Sequence, residues 1–167
     1  MGFFCDLKKS EINMHIMTNK ISFIDFETIL PIWRNKLWPD RTSVIESHSA
    51  MMITPGIYDA GNFNLPIWYY GFYLDDMLVG VNSVHECTDG LIRSRGFWVD
   101  DNYRGRGIGT QLLASIVNDI KMHKFKGIWS YPRKQAWSVY ERVGFRSISD
   151  WEESETGTNM YCYMDLQ

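Results

Sequence analysis

Arg104-Gly105-Arg106-Gly107-Ile108-Gly109 is the stretch of this sequence best suited to chemistry. Its glycines permit a tight turn and a close approach of the backbone to a ligand, and its two arginines add local positive charge. A strand is predicted to end near Val99 and a helix to begin near Gly107, so the N–H groups of the first helical turn converge on one point. Such a point binds an anion, above all a phosphate. No Gly-Lys-Ser/Thr follows, as a P-loop needs, and the third glycine is misplaced for a GxGxxG dinucleotide turn. ATP and NAD are poor guesses.

Two further places carry groups able to move protons. Tyr140 lies four residues before Gly144 in the segment Ala136-Trp137-Ser138-Val139-Tyr140-Glu141-Arg142-Val143-Gly144-Phe145, which reads as a short helix stopped by its glycine. His85 and Glu86 are neighbours on a predicted strand and point to opposite faces, so at most one of them meets a given site. The plain alternatives are a packed core tyrosine, a hydrogen-bonded histidine and a surface carboxylate.

Taken in order, the two segments resemble the GNAT superfamily of acyl-CoA-dependent N-acyltransferases. Arg104, Gly107 and Gly109 match its R/Q-x-x-G-x-G/A signature. Ala136, Tyr140, Gly144 and Phe145 match its A-x-x-x-Y-x-x-x-G-F segment. The likeness runs over residues 67–166 and covers the first 66 residues only in kind.

The resemblance implies a mixed α/β fold: a central mixed, mostly antiparallel sheet flanked by helices and splayed between its fourth and fifth strands. It implies acetyl-CoA as cosubstrate and no metal. The pyrophosphate would lie on Arg104, Gly105, Arg106, Gly107, Ile108, Gly109 and Thr110, with Arg133 as a further cation. Phe97, Trp98 and Val99 on the fourth strand would bond the pantetheine arm, with Gly96 free to form the bulge usual there. Tyr140 would protonate the departing CoA sulfur.

The activity so implied is transfer of an acetyl group to a primary amine of a small molecule or protein by direct attack. A non-catalytic acyl-CoA-binding regulatory domain is the alternative. Two positions depart from the family pattern. Arg93 and Arg95 stand on the fourth strand where many relatives place a glutamate, which leaves Glu86, His85 or a water chain as the base. Arg133 stands where an asparagine is common.

The elements that must position these residues follow from periodicity and punctuation. Ile12, Met14 and Ile16 alternate as a first strand, Ile12 to Met17, and Ser22 to Leu37 shows helical spacing, with Ser22 as N-cap and Pro31 as a kink or break. Ser43 to Met52 is a second helix, and Thr54 to Pro66 an irregular loop. Strands follow at Ile67 to Tyr73, Leu78 to His85 and Leu91 to Val99. Ile108, Leu112, Leu113, Ile116, Val117 and Ile120 then share one helical face. Gly127 to Ser130 is a buried strand, Gln135 to Val143 a helix, and Phe145 to Trp151 with Asn159 to Leu166 a closing strand pair.

With 167 residues and 45% hydrophobic content, one domain over residues 1–167 is expected. A net charge of -3 excludes a globally basic surface, so no nucleic-acid partner is expected. No run reaches bilayer length and no signal peptide is visible, which points to a cytoplasmic protein with no membrane partner. The three cysteines are scattered, like the four histidines, so neither a disulfide framework nor a metal site is expected. The expected partners are acetyl-CoA and an amine, and a homodimer stays open.

Overall fold

The computed structural model describes residues 17–48 and 64–167. Strand β1 (Asn19–Ile24) leads into helix α1 (Phe26–Ile32) and a widened π turn at Trp33–Leu37. Strands β2 (Ile67–Leu74), β3 (Met77–Glu86) and β4 (Leu91–Val99) form an antiparallel meander. Helix α2 (Ile108–Lys121), strand β5 (Gly127–Ser130) and helix α3 (Trp137–Val143) follow. The chain closes with β6 (Arg146–Ser147), β7 (Glu152–Ser154), β8 (Gly157–Asn159) and β9 (Cys162–Asp165).

One seven-stranded sheet runs in the order β1-β2-β3-β4-β5-β9-β6. Only the β4–β5 pair in it is parallel, since the α2 crossover returns the chain in the same direction. The apolar stripe of α2 is buried from Ile108 to Ile120 and packs, with Tyr140 of α3 and Phe145, on one face of the sheet. A second core of Ile29, Trp33, Leu37, Val81 and Trp98 fills the opposite face under α1 and the π turn. No helix among the described residues is long and apolar enough to cross a membrane.

Several elements depart from the sequence reading. The strand expected at Ile12 to Met17 lies outside the described residues, apart from Met17, which is not in a strand. Ser22 does not cap a helix: it sits in β1 opposite Gly71, and the helix starts after Asp25, whose carboxylate accepts from Thr28 N at 2.8 Å. Pro31 does not split the helix, which instead widens at once, Trp38 N donating to Trp33 O at 2.8 Å.

Residues 43–48 are not helical, and the Glu155 carboxylate accepts the N–H groups of Thr42 and Ser43 at 3.2 and 3.4 Å; residues 49–52 lie outside the described residues. Of the expected loop, 54–63 lies outside them as well. The closing strand pair is shorter than expected, β6 having only two residues, and the chain between forms its own β7–β8 hairpin turning near Gly157 at φ +115°.

Candidate active site

The site begins with a break in β4. Val81 pairs with Trp98 and Ser83 with Arg95, so three steps on β4 oppose two on β3, and the extra residue makes a bulge at Gly96. Gly96 has φ +70°, and a Cβ there would stand 2.3 Å from the Trp33 ring. Trp33 Nε1 donates to Gly96 O at 2.8 Å and seals this corner. The bulge changes which face each side chain takes. Phe97 and Val99 join Ile92 in the α2/α3 core, while Trp98 joins the Trp33 core on the other face.

A second break lies beside it. β4 and β5 pair only from Leu91↔Gly127 to Ser94↔Ser130, after which Tyr131 and Pro132 carry the chain away, proline having no N–H to extend the ladder. Ser130 Oγ donates to Ser94 O at 2.9 Å and closes the last rung. β4 continues to Val99 with no strand beside it on that side, so the sheet is notched. A cleft of about 610 Å³ runs through this notch.

At the apex of the notch stands Tyr140, with 1% of its surface exposed. Its hydroxyl is 3.3 Å from both Ser94 Oγ and Ser130 Oγ, and Asn82 Nδ2 donates to Ser94 Oγ at 2.9 Å. Phe97 and Phe145 hold the ring edge-on at 5.6 and 5.1 Å. Burial pushes the phenol up to about 12, against the lowering pull of the hydrogen bonds with Ser130 and Ser94. At neutral pH Tyr140 is a protonated, fixed donor.

The glycine-rich turn forms the outer wall of the same cleft. Gly105 and Gly107 have φ +75° and +78°, and beside them nothing but Gln111 Nε2, 3.8 Å from a Cβ on Gly107, would meet an added side chain. No side chain caps α2, and its first internal bond is Gln111 N to Gly107 O, so the N–H groups of Ile108, Gly109 and Thr110 are open to a ligand. Gly109 serves packing instead: a Cβ would lie 2.9 Å from Phe97 Cζ. The turn fits a pyrophosphate by its backbone.

The arginines divide differently from the sequence expectation. Arg104 spends its guanidinium on the fold, donating from Nε to Val99 O at 3.1 Å and pairing with Asp101 at 2.7 Å. Arg106 is exposed, bonds Asn102 O and lies 5.1 Å from the Tyr103 ring. Arg133 is half-buried on the cleft wall, where desolvation and then Arg104 lower its pKa. Arg142, which the sequence reading passed over, lines the cleft and donates to Thr110 Oγ1 at 3.3 Å.

On the far face of the notch, Arg41, Arg93 and Arg95 line the cleft with Leu37 and Trp38. No Asp, Glu or His among the described residues lines it. His85 is on this face but is sealed from the cleft. Ser83 Oγ donates to Arg95 O at 2.8 Å, so His85 Nε2, at 2.9 Å, must donate to Ser83. His85 Nδ1 is left with its lone pair buried and, among the described residues, without a hydrogen-bond partner. Burial, then Arg95, Arg93 and His48, hold this imidazole well below the usual histidine range. Glu86 sits at the end of β3, half-buried and away from the cleft. The structure thus brings Tyr140, Phe97, Trp98, Val99, Arg133 and the turn to one cleft, and leaves His85 and Glu86 outside it.

Residues 68–147 match the family model described as the acetyltransferase (GNAT) domain. Over those residues the chain is a GNAT domain. No curated protein matches it in sequence. The GNAT fold is shared with the IAA acetyltransferase of Bacillus cereus, at a TM-score of 0.66 and 16% identity over 89% of this chain and 99% of that one. A GNAT-family acetyltransferase of Staphylococcus aureus gives 0.62 and 19% over 90% and 100%. A Bacillus anthracis structure in complex with acetyl coenzyme A gives 0.52 and 20% over 63% and 66%. At these identities the likeness is one of fold. In GNAT terms, the notch between β4 and β5 is the splay of the sheet, and the signature turn opens α2 beside it.

Proposed function

We propose that this GNAT domain transfers the acetyl group of acetyl-CoA to a primary amine by direct attack. One observation carries the reading: a single cleft joins an uncapped helix N-terminus built on Gly105 and Gly107 to a buried, protonated tyrosine at the point where β4 and β5 part. The pyrophosphate of acetyl-CoA would rest on the N–H groups of Ile108, Gly109 and Thr110, with Arg142 and Arg133 at hand. The pantetheine would lie along Phe97, Trp98 and Val99, where β4 has lost its neighbour, and the thioester would reach Tyr140.

The amine nitrogen then bonds to the thioester carbonyl carbon, and the carbon–sulfur bond breaks. The sulfur takes the Tyr140 proton, and the Ser94 hydroxyl donates to the phenolate oxygen until water reprotonates it. The proton lost by the amine leaves to water. With no carboxylate or imidazole among the described cleft residues, the amine must attack in its neutral form. The positive field of Arg41, Arg93 and Arg95 favours that form by disfavouring an ammonium ion.

Following CoA thiol release from acetyl-CoA across a panel of primary amines tests this. Amine-dependent release, with the acetylated amine found by mass spectrometry, is the expected result. Tight CoA binding with no release for any amine would leave the non-catalytic acyl-CoA-binding reading instead.

A further inference from the structure

We infer that the acceptor amine also carries a carboxylate, bound by Arg95 on the face of the sheet opposite Tyr140. The inference rests on the acetyl-transfer reading above and names its substrate class.

Arg95 directly follows Ser94 on β4, so the two side chains leave opposite faces of the sheet at the notch. Its side chain lines the cleft and is 5% exposed. The guanidinium is fixed, lying 4.7 Å from the Trp33 ring centre and 5.3 Å from that of Trp38, with Nη1 donating to Glu46 O at 3.3 Å. Nη2 is buried and has no hydrogen-bond partner among the described residues. A buried guanidinium nitrogen without an acceptor carries a desolvation cost that an arriving anion removes.

The surroundings sharpen the need. Arg93 and Arg41 add positive charge, and burial followed by these two neighbours pushes Arg95 down to about 9. Arg41 directs Nε to Ser43 Oγ at 2.7 Å and Nη2 to Val44 O at 3.5 Å. Arg95 Nη2 brings two N–H groups, which a planar carboxylate can satisfy with fewer oxygens left over than a phosphate. The proposed pyrophosphate site is at the α2 terminus on the other face, which leaves this corner of the cleft to the acceptor. Leu37 and Trp38 give its carbon chain an apolar wall.

The test uses acetyl-CoA with glycine, β-alanine, 4-aminobutyrate, 6-aminohexanoate and phenylalanine, each against the amine that lacks its carboxylate. At least one acid is expected to exceed its partner in kcat/KM by about 10-fold or more. Arg95→Met should lower the ratio of kcat/KM for that acid to that for its decarboxylated partner by about 10- to 100-fold while leaving CoA affinity unchanged, and Arg95→Lys should restore part of it. Should the methionine variant fail to fold, the acid-to-amine ratio of the wild type decides. Equal or better use of the decarboxylated amine in every pair overturns the inference, as does an acid preference that survives in Arg95→Met. If no acid is turned over or bound while CoA still binds, the acceptor class is wrong; if CoA itself does not bind, the acetyl-transfer reading fails first.

Discussion

The hydroxyl oxygens of Tyr140 and Ser94 lie 3.3 Å apart although 46 residues separate them in sequence. Their meeting defines the end of the β4–β5 pair, because Ser94 is also the last β4 residue with a partner on β5. A phenol held between two serine hydroxyls is fixed in place, and the Ser94 hydroxyl can donate to the charge it acquires on losing its proton.

Tyr140→Phe should therefore affect chemistry more than binding. The ring and its contacts with Phe97 and Phe145 survive, so CoA affinity should hold, while turnover falls by about a hundredfold to ten-thousandfold, nearer the smaller figure for an easily expelled thiolate. Ser94→Ala and Ser130→Ala should each cost less. Turnover and CoA affinity measured on one preparation check this, and wild-type turnover in the phenylalanine variant would remove Tyr140 from the mechanism.

Gly96 should be among the most sensitive positions for stability. Alanine there must adopt φ near +70° and place its Cβ within the Trp33 ring, and both costs fall on a buried corner. Strain and overpacking together predict a loss of about 2 to 5 kcal/mol. Urea denaturation reads it, and an unchanged midpoint would mean that Trp33 moves aside.

Much of this fold was legible because its signals are local. The α2 stripe from Ile108 to Ile120, the turn before it and the meander of β2, β3 and β4 each follow from neighbours in sequence. What was not legible depends on distant partners. Thr42 and Ser43 are tied to Glu155 from the far end of the chain, and Ser22 joins a strand because Gly71 lies opposite. Within the site, Tyr140 stood out by motif, but Ser94, Ser130 and Asn82 come from three strands and have no signature of their own. Arg142 counts only because α3 sets it beside Thr110. His85 looked like a base by type, and only the structure shows Ser83 and Arg95 sealing it in.

That sealed histidine gives a pH prediction. Its folded pKa lies well below the 6.5 of an unperturbed histidine, so the unfolded chain binds the extra proton first as pH falls. The stability it contributes is complete above pH 6.5 and is lost on acidification below it, with a slope of up to about 1.4 kcal/mol per pH unit. His85→Gln should flatten the fall in unfolding free energy between pH 7 and pH 5. An identical slope in the variant would contradict the buried neutral form.

The central claim is that the turn opening α2 holds acetyl-CoA, and Gly107 tests it more cleanly than Gly109, whose Cβ would strike Phe97. At Gly107 a side chain meets only Gln111 Nε2, at 3.8 Å, yet φ is +78°, so a β-branched residue distorts the turn and crowds its anion-facing side without disturbing the core. Calorimetric titration of acetyl-CoA into the wild type and Gly107→Val, with folding checked by circular dichroism, is the most direct measurement. One-to-one binding to the wild type and its loss in a folded variant is the predicted result. No binding to the wild type, or the same affinity in both proteins, would contradict it.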